Sequence, residues 1–461
     1  MVGQFATRVT IDMLPDDVLL DIFDLYLDLP PNLFVDRTKI WQRLVHVCRR
    51  WRGVVFQSPR RLDLQILCTA RRPVREMLDI WPALPLTICV GDGPPAWGME
   101  NVIAALEHRD RISRISIDHT SSLILGTLLP VMQEPFPALK FLDLDARVSI
   151  PDSFLGGSAP DLRHLYLEAV PFPALPTLLL SATSLVTLSL RNVPHSGYIS
   201  PESMAACLFP LTKLERLVLK FQSTLSRPDP ERRNSPSPTR ATLPALTRFE
   251  FKGVSDYFED LVAQIDATPV LDCLQITFFK QPIFHTPHLS QFVCRVPKFH
   301  ALIGARVIIS SSDVSVTVTS PTRTLGSTLL SVGVALRDLD WQPLSLAWLC
   351  TSTLPVVLTA EHLYLTTTWA HWWQDTENTQ WLELLLPFTS VKNLYLSKEF
   401  ASHIAPALQE LVGERVTEVL PALQNLFLAE LQPSGLVQQA IGQFVSARQI
   451  VGRPIAVSQW V

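Results

Sequence analysis

Leu139-Lys140-Phe141-Leu142-Asp143-Leu144 is followed by Leu162-Arg163-His164-Leu165-Tyr166-Leu167 and by Leu185-Val186-Thr187-Leu188-Ser189-Leu190. The stretch from 139 to 190 thus repeats L-x-x-L-x-L at a constant step of 23 residues. Within each copy the last two leucines are two residues apart, so both project from one face of a short strand. A strand that short cannot satisfy its own backbone N–H and C=O groups, so each copy has to pair with the next one along.

Outward from this stretch the pattern continues at Leu214/Leu217/Leu219, Leu246/Phe249/Phe251 and Leu271/Leu274/Ile276, with steps lengthening to between 25 and 32 residues. Ile112/Ile115/Ile117 is an earlier, degenerate copy, and Ala360/Leu363/Leu365, Val391/Leu394/Leu396 and Leu423/Leu426/Leu428 are late ones, several led by a proline such as Pro137, Pro210, Pro244 or Pro421. Recurrence on this period marks a solenoid, and apolar spacings of three and four predict helical returns at 99–108 and 257–265. The units resemble the leucine-rich-repeat family in degenerate form, since Arg147, Val170, Val193 and Val254 stand where that family has Asn or Cys. The resemblance implies an α/β solenoid with a curved parallel β-sheet over 69–431. Between 278 and 358 the pattern lapses; alternating Val314, Val316 and Val318 after Ser310-Ser311-Ser312-Asp313 predict a β-hairpin or an irregular repeat there. Residues 222–242, rich in Ser, Pro and Arg, read as a disordered insertion containing Ser235-Pro236 and Ser237-Pro238 as candidate phosphorylation sites. Over 432–461, Ser434 can cap a helix whose Val437, Ala440, Ile441, Phe444 and Val445 share one face and close the last repeat, followed by a tail.

The N-terminus is of another kind. After a disordered lead at 1–12, Leu14-Pro15-Asp16-Asp17 starts a helix with proline where its missing N–H does least harm and with acids at the positive end of the dipole. Leu14, Val18, Leu19, Ile22 and Phe23 fall on one face of it, and Trp41, Leu44, Cys48, Trp51 and Val55 line a second helix. With Val47-Cys48-Arg49-Arg50-Trp51-Arg52 and the closing Ser58-Pro59, residues 13–68 resemble the F-box, and His46 to Pro59 and Trp381 to Trp460 resemble F-box proteins of basidiomycete fungi. The connection at 28–39, with Pro30-Pro31, is longer than the usual one. The resemblance implies an adaptor-docking surface formed or supported by Leu14, Pro15, Val18, Leu19, Ile22, Phe23, Val47, Cys48 and Trp51. The implied partners are a Skp adaptor and, through it, a cullin scaffold. An alternative role for both helices is a cap on the following domain.

The 461 residues have a net charge of −4, which speaks against a general nucleic-acid binder, and seven dispersed cysteines without a CxxC fit reduced thiols of cytoplasm or nucleus. No apolar run reaches the roughly 18 to 20 residues needed to cross a bilayer, and the start lacks the apolar centre of a secretory signal. No catalytic constellation is found: Gly91, Gly93 and Gly98 are interrupted by Pro94-Pro95, which offer no N–H to a phosphate, and His285, His288, Cys294 and His300 match no zinc-finger spacing. Neither cofactor nor metal is expected. Trp369, Trp372, Trp373 and Trp381 can anchor a partner or pack beneath a loop. The outward strand positions change character along the chain, from Asp118, Asp143, Asp145 and Glu168 to Arg191, Arg216, Lys220, Arg248 and Lys252 around a single Glu250, and then to Tyr364, Tyr395 and Phe427. The basic middle suits an acidic or phosphorylated peptide, or is a solvated mixed-charge surface. The chain is therefore expected to be a non-enzymatic substrate receptor of a Skp-cullin-F-box ubiquitin ligase, with its repeats taking a protein substrate. The alternative is a leucine-rich-repeat scaffold or recognition protein outside such a ligase.

Overall fold

The computed structural model describes residues 11–27, 41–70, 74–90, 98–117, 122–228, 240–266, 269–279, 286–310, 313–320, 329–335, 354–367, 377–411, 413–429 and 435–460. The chain divides into two compact units, 1–165 and 166–461.

The first unit opens with helix α1 (Asp16–Leu27), a helical segment at 41–45 and α2 (Arg49–Gln57). Parallel strands β1 (Ile66–Cys68), β2 (Leu86–Val90), β3 (Ile112–Ile117) and β4 (Phe141–Asp145) follow, returned by α3 (Val74–Ile80), α4 (Met99–Leu106) and α5 (Ser122–Leu128). Ile88 pairs with Ile115 and Ile115 with Leu142, so the repeat leucines and isoleucines run in one row, each buried. The sheet thus begins at Ile66, inside the segment assigned from sequence to the helical N-terminus. The return at 99–108 is the expected helix. It starts at Gly98, φ +97°, where a Cβ would lie 1.6 Å from the Ala70 carbonyl oxygen, so only glycine fits.

After β5 (His164–Glu168), which straddles the division, the second unit runs through β6 (Thr187–Val193), β7 (Arg216–Phe221), β9 (Arg248–Gly253) and β11 (Cys273–Phe279), with α6 (Leu175–Ser181), α7 (Pro201–Leu208) and α8 (Ser255–Val262) between them. Leu188, Leu217, Phe249 and Leu274 lie in register across four parallel strands. The Phe249 and Phe251 rings lie 5.6 and 4.9 Å from Phe258 of α8, and Phe221 lies 4.7 Å from Tyr257. That face is the core, and the intervening residues of each strand point the other way. At the end of α8, buried Glu259 accepts the N–H groups of His288 and Leu289, both at 2.8 Å, at the start of α9 (Pro287–Cys294).

The lapse between 278 and 358 holds more than a hairpin. Strands β12 (Gly304–Ile309), β13 (Asp313–Thr319) and β14 (Leu329–Ala335) form an antiparallel meander set into the sheet in reverse: β11 pairs with β14, β14 with β13, β13 with β12 and β12 with β15 (His362–Thr367). Because the middle strand is reversed, β14 and β12 both run parallel to their outer neighbours. Gly333 permits the close approach, since a Cβ there would come 2.9 Å from the Val314 carbonyl oxygen.

Parallel pairing then resumes through β16 (Asn393–Leu396), β17 (Asn425–Leu428) and β18 (Ala456–Gln459), with α10 (Asn378–Leu385), α11 (Lys398–Gln409) and α12 (Gly435–Ile450) as returns. The C-terminal segment is therefore a further repeat ending in an exposed strand, not a helix and tail alone. In α12, Val437, Ala440, Ile441 and Phe444 are buried as expected, while Ser434 lies outside the described residues. Arg448 is buried as well, donating to the carbonyl oxygens of Val416 at 3.1 Å, Leu420 at 3.4 Å and Leu423 at 3.2 Å. Of the stretch read as disordered, 229–239 lies outside the described residues, but Ala241–Thr242 forms a small strand (β8) paired with Ile265–Asp266 (β10), and Ser226 is buried. No helix among the described residues is long and apolar enough to cross a membrane.

Candidate functional site

Three surfaces gather the residues singled out in the sequence. The first is the helical N-terminus. Leu19, Phe23 and Leu27 recur at four-residue steps along α1 and are buried, with Trp51 of α2 lying 4.8 Å from the Phe23 ring. The helices are tied by Arg50, which donates to Asp16 at 2.7 Å and to the Leu14 carbonyl oxygen, and by Arg61, which reaches Asp24 at 3.0 Å and Asp21. Cys48 caps α2, its Sγ accepting the Trp51 N–H at 3.5 Å, so the single second helix expected from Trp41 to Val55 is broken at 46–48, where Cys48 is extended.

Val18, Ile22 and Leu25 form a different stripe, offset by one residue and hence about 100° around the helix axis. They are 37, 39 and 74% exposed. The nine residues singled out for adaptor docking thus divide: Leu19 and Phe23 hold the fold, Leu14 and Trp51 are half-buried, and Pro15, Val18, Ile22, Val47 and Cys48 are exposed. Ile11, Met13, Leu25 and Tyr26 are exposed apolar residues that the motif did not mark. At 41–45, Trp41, Leu44 and Val45 are buried; the Trp41 ring lies 5.2 Å from Trp81 and its Nε1 donates to the Gln65 carbonyl oxygen at 2.9 Å.

The second surface lies over β7 and β9 on the face turned away from α8. Arg216 pairs in register with Arg248, and Lys220 with Lys252. Like charges directly opposed cost energy, and Glu250 offsets this from between them. One of its carboxylate oxygens accepts from Arg216 at 2.9 Å and from Arg248 at 2.8 Å, and the other from Lys220 at 2.7 Å. Burial alone would raise its pKa, but the hydrogen bonds from Lys220 and Arg248 and their charges outweigh that and hold the carboxyl down at about 2. Arg216 Nε is buried without an acceptor, and Lys252 has no ion-pair partner among the described residues. Arg191 is exposed and out of register, because β6 bulges between Leu190 and Val193. Of the acidic positions, Glu168 accepts from Asn192 at 2.7 Å, Asp143 and Asp145 are half-buried, and Asp118 lies outside the described residues.

The third surface is aromatic. Tyr364, Tyr395 and Phe427 stack strand to strand at 4.2 and 4.5 Å with interplanar angles of 11° and 7°. Arg306 sits 5.2 Å above Tyr364, and Trp460 beyond β18 reaches back to 5.9 Å from Tyr364 and 5.8 Å from Tyr395. Of the late tryptophans, Trp381 is buried against Phe400 at 5.6 Å, and Trp369, Trp372 and Trp373 lie outside the described residues. His288, Cys294 and His300 are exposed, His285 is not described, and no group of three metal-ligating side chains occurs among the described residues. Burial pushes the Cys68 thiol up to about 12 and that of Cys207 up to about 11.

No family model matches the chain, and no curated protein matches it. Among solved structures it is similar to the leucine-rich repeat-containing protein LegL7 from Legionella pneumophila, with 10% identity, 83% of this chain and 97% of that chain covered, and a TM-score of 0.26. The leucine-rich-repeat-like character described above rests on the register of this chain's own strands.

Proposed function

We propose that this chain is the substrate-recognition subunit of a Skp-cullin-F-box ubiquitin ligase, without catalytic residues of its own, and that its repeat body selects a protein substrate. The observation that carries the reading is the outer stripe of α1, where Val18, Ile22 and Leu25 are exposed on a helix whose inner stripe is already buried. With Val47 ahead of α2, these side chains offer apolar surface at the positions where the sequence resembles an F-box. Ubiquitin transfer would then depend on proximity supplied by the assembled ligase. The test is capture of purified Skp adaptor by the full chain and by Val18→Asp/Ile22→Asp. Wild type binds and the double variant does not, with an unchanged melting temperature; equal capture by both, or by neither, overturns the reading.

A second reading has its own support. Trp41, Phe56 and Trp81 form an edge-on aromatic cluster joining the N-terminal helices to the first repeats, as a cap would. In that case the repeat body is a recognition module outside any ligase, and the outer stripe is inert toward the adaptor.

A further inference from the structure

The cation quartet on β7 and β9 has more positive charge than its internal carboxylate neutralises. Arg216, Lys220, Arg248 and Lys252 surround one anion, Glu250, leaving a formal excess of three positive charges. The quartet is also rich in spare donors. A guanidinium carries five N–H groups and an ammonium three, yet Arg216 gives one hydrogen bond within the cluster, Arg248 one and Lys220 one. Arg216 Nε is buried and faces no acceptor.

The arrangement is compact. Arg216 and Arg248 are direct cross-strand neighbours, as are Lys220 and Lys252, and the two pairs are four residues apart, about 13 Å along the strands. The next strand places neutral Cys273, Gln275 and Thr277 beside Arg248, Glu250 and Lys252, and on the other side buried Ser189 adjoins Val218. A long polyanion needs a basic track that continues; among the described residues this one runs only to exposed, out-of-register Arg191 on β6, next to which Asn192 holds acidic Glu168. One or two anionic groups on an extended segment fit the patch.

We propose that the open face of β7 and β9 binds a phosphorylated segment of a partner protein. Its phosphoryl group lies across the Arg216–Arg248 pair, Lys252 supplies a second contact, and Glu250 serves as the internal anion that keeps the cations in place until the ligand arrives. This rests on the reading of the repeat body as the substrate-selecting part. Arginine forks suit the geometry because a phosphoryl group accepts two parallel N–H bonds from each. A single carboxylate on a partner offers little that Glu250 does not already give, so a dianion is favoured over an acidic side chain.

The experiment is fluorescence anisotropy of the full chain with a labelled Gly-Ala-Gly-phosphoserine-Gly-Ala peptide, its serine and glutamate counterparts, and a short oligouridylate. The phosphopeptide is expected to bind about 10-fold tighter than the serine peptide and several-fold tighter than the glutamate peptide, with inorganic phosphate competing. Arg216→Gln/Arg248→Gln is expected to abolish binding. Lys252→Gln, which breaks no ion pair among the described residues, is expected to weaken it about 5-fold at an unchanged melting temperature. Glu250→Gln frees the donors and is expected to tighten binding, which a purely structural cluster would not do. Equal binding of phosphorylated and unphosphorylated peptides, an unaffected Lys252→Gln, or tighter binding of the oligouridylate overturns the proposal. All these variants are expected to capture Skp adaptor as wild type does, so failure of adaptor capture counts against the ligase reading and failure of phosphopeptide binding against this one.

Discussion

Two rows on the same open face of the second unit are ordered by different physics. Over β7 and β9, three of four cations are held by one carboxylate that is 4% exposed; over β15 to β17, three rings stack strand to strand at 4.2 and 4.5 Å. The charged row is directional and unforgiving, because removing the shared anion leaves the cations facing each other. The aromatic row is additive, and a lost ring removes its own contacts without leaving an uncompensated charge. One leucine core therefore supports two chemistries, since strand alternation separates what holds the sheet from what it displays.

The strongest way to break the contrast is Glu250→Leu, expected to destabilise the chain by about 3 kcal/mol, read by denaturant unfolding. Added salt should restore part of that loss by screening the exposed cations. Tyr395→Ala, which removes the middle ring, is expected to cost about 2 kcal/mol with no such recovery. A pH series sharpens the comparison. The folded pKa of Glu250 is depressed to about 2, so its stabilising contribution is present above the ordinary carboxylate range and is lost as pH falls through that range towards 2. Wild type should lose its stability advantage over Glu250→Gln across that window, while Tyr395→Ala keeps a constant offset from wild type. The smallest effect is expected for Trp460→Ala, about 1 kcal/mol, because the indole lies at the edge of the stack. A separate stability probe is Arg448→Met, which removes three hydrogen bonds from a buried guanidinium to backbone carbonyls and should cost about 3 kcal/mol.

The parallel repeats were legible because leucine spacing reports directly on which side chains enter the core, as at Leu188, Leu217 and Leu274. Both rows were legible too, since Arg216, Arg248, Tyr364 and Tyr395 fall on the alternate positions of those strands. The reversed meander was not: Val314, Val316 and Val318 show a strand, but the order in which strands enter a sheet leaves no trace in local periodicity. Glu250 was visible only as one acid among bases, and its threefold coordination depends on cross-strand register. The two stripes of α1 merged in the sequence because Val18/Ile22 and Leu19/Phe23 are adjacent apolar pairs, and which pair is buried is decided by Trp51 and Arg50 more than 25 residues further on. Buried Arg448 resembles any helix-end cation, and Ala456-Val457-Ser458-Gln459 has too little apolar content to mark a strand.

The most direct test of the proposed division between a docking end and a recognising body is amide hydrogen exchange on the full chain with and without purified Skp adaptor. Added protection is expected only in peptides covering 11–27 and 46–57, with those covering 216–221 and 248–253 unchanged. Protection over β7 and β9, or none over α1, would contradict it.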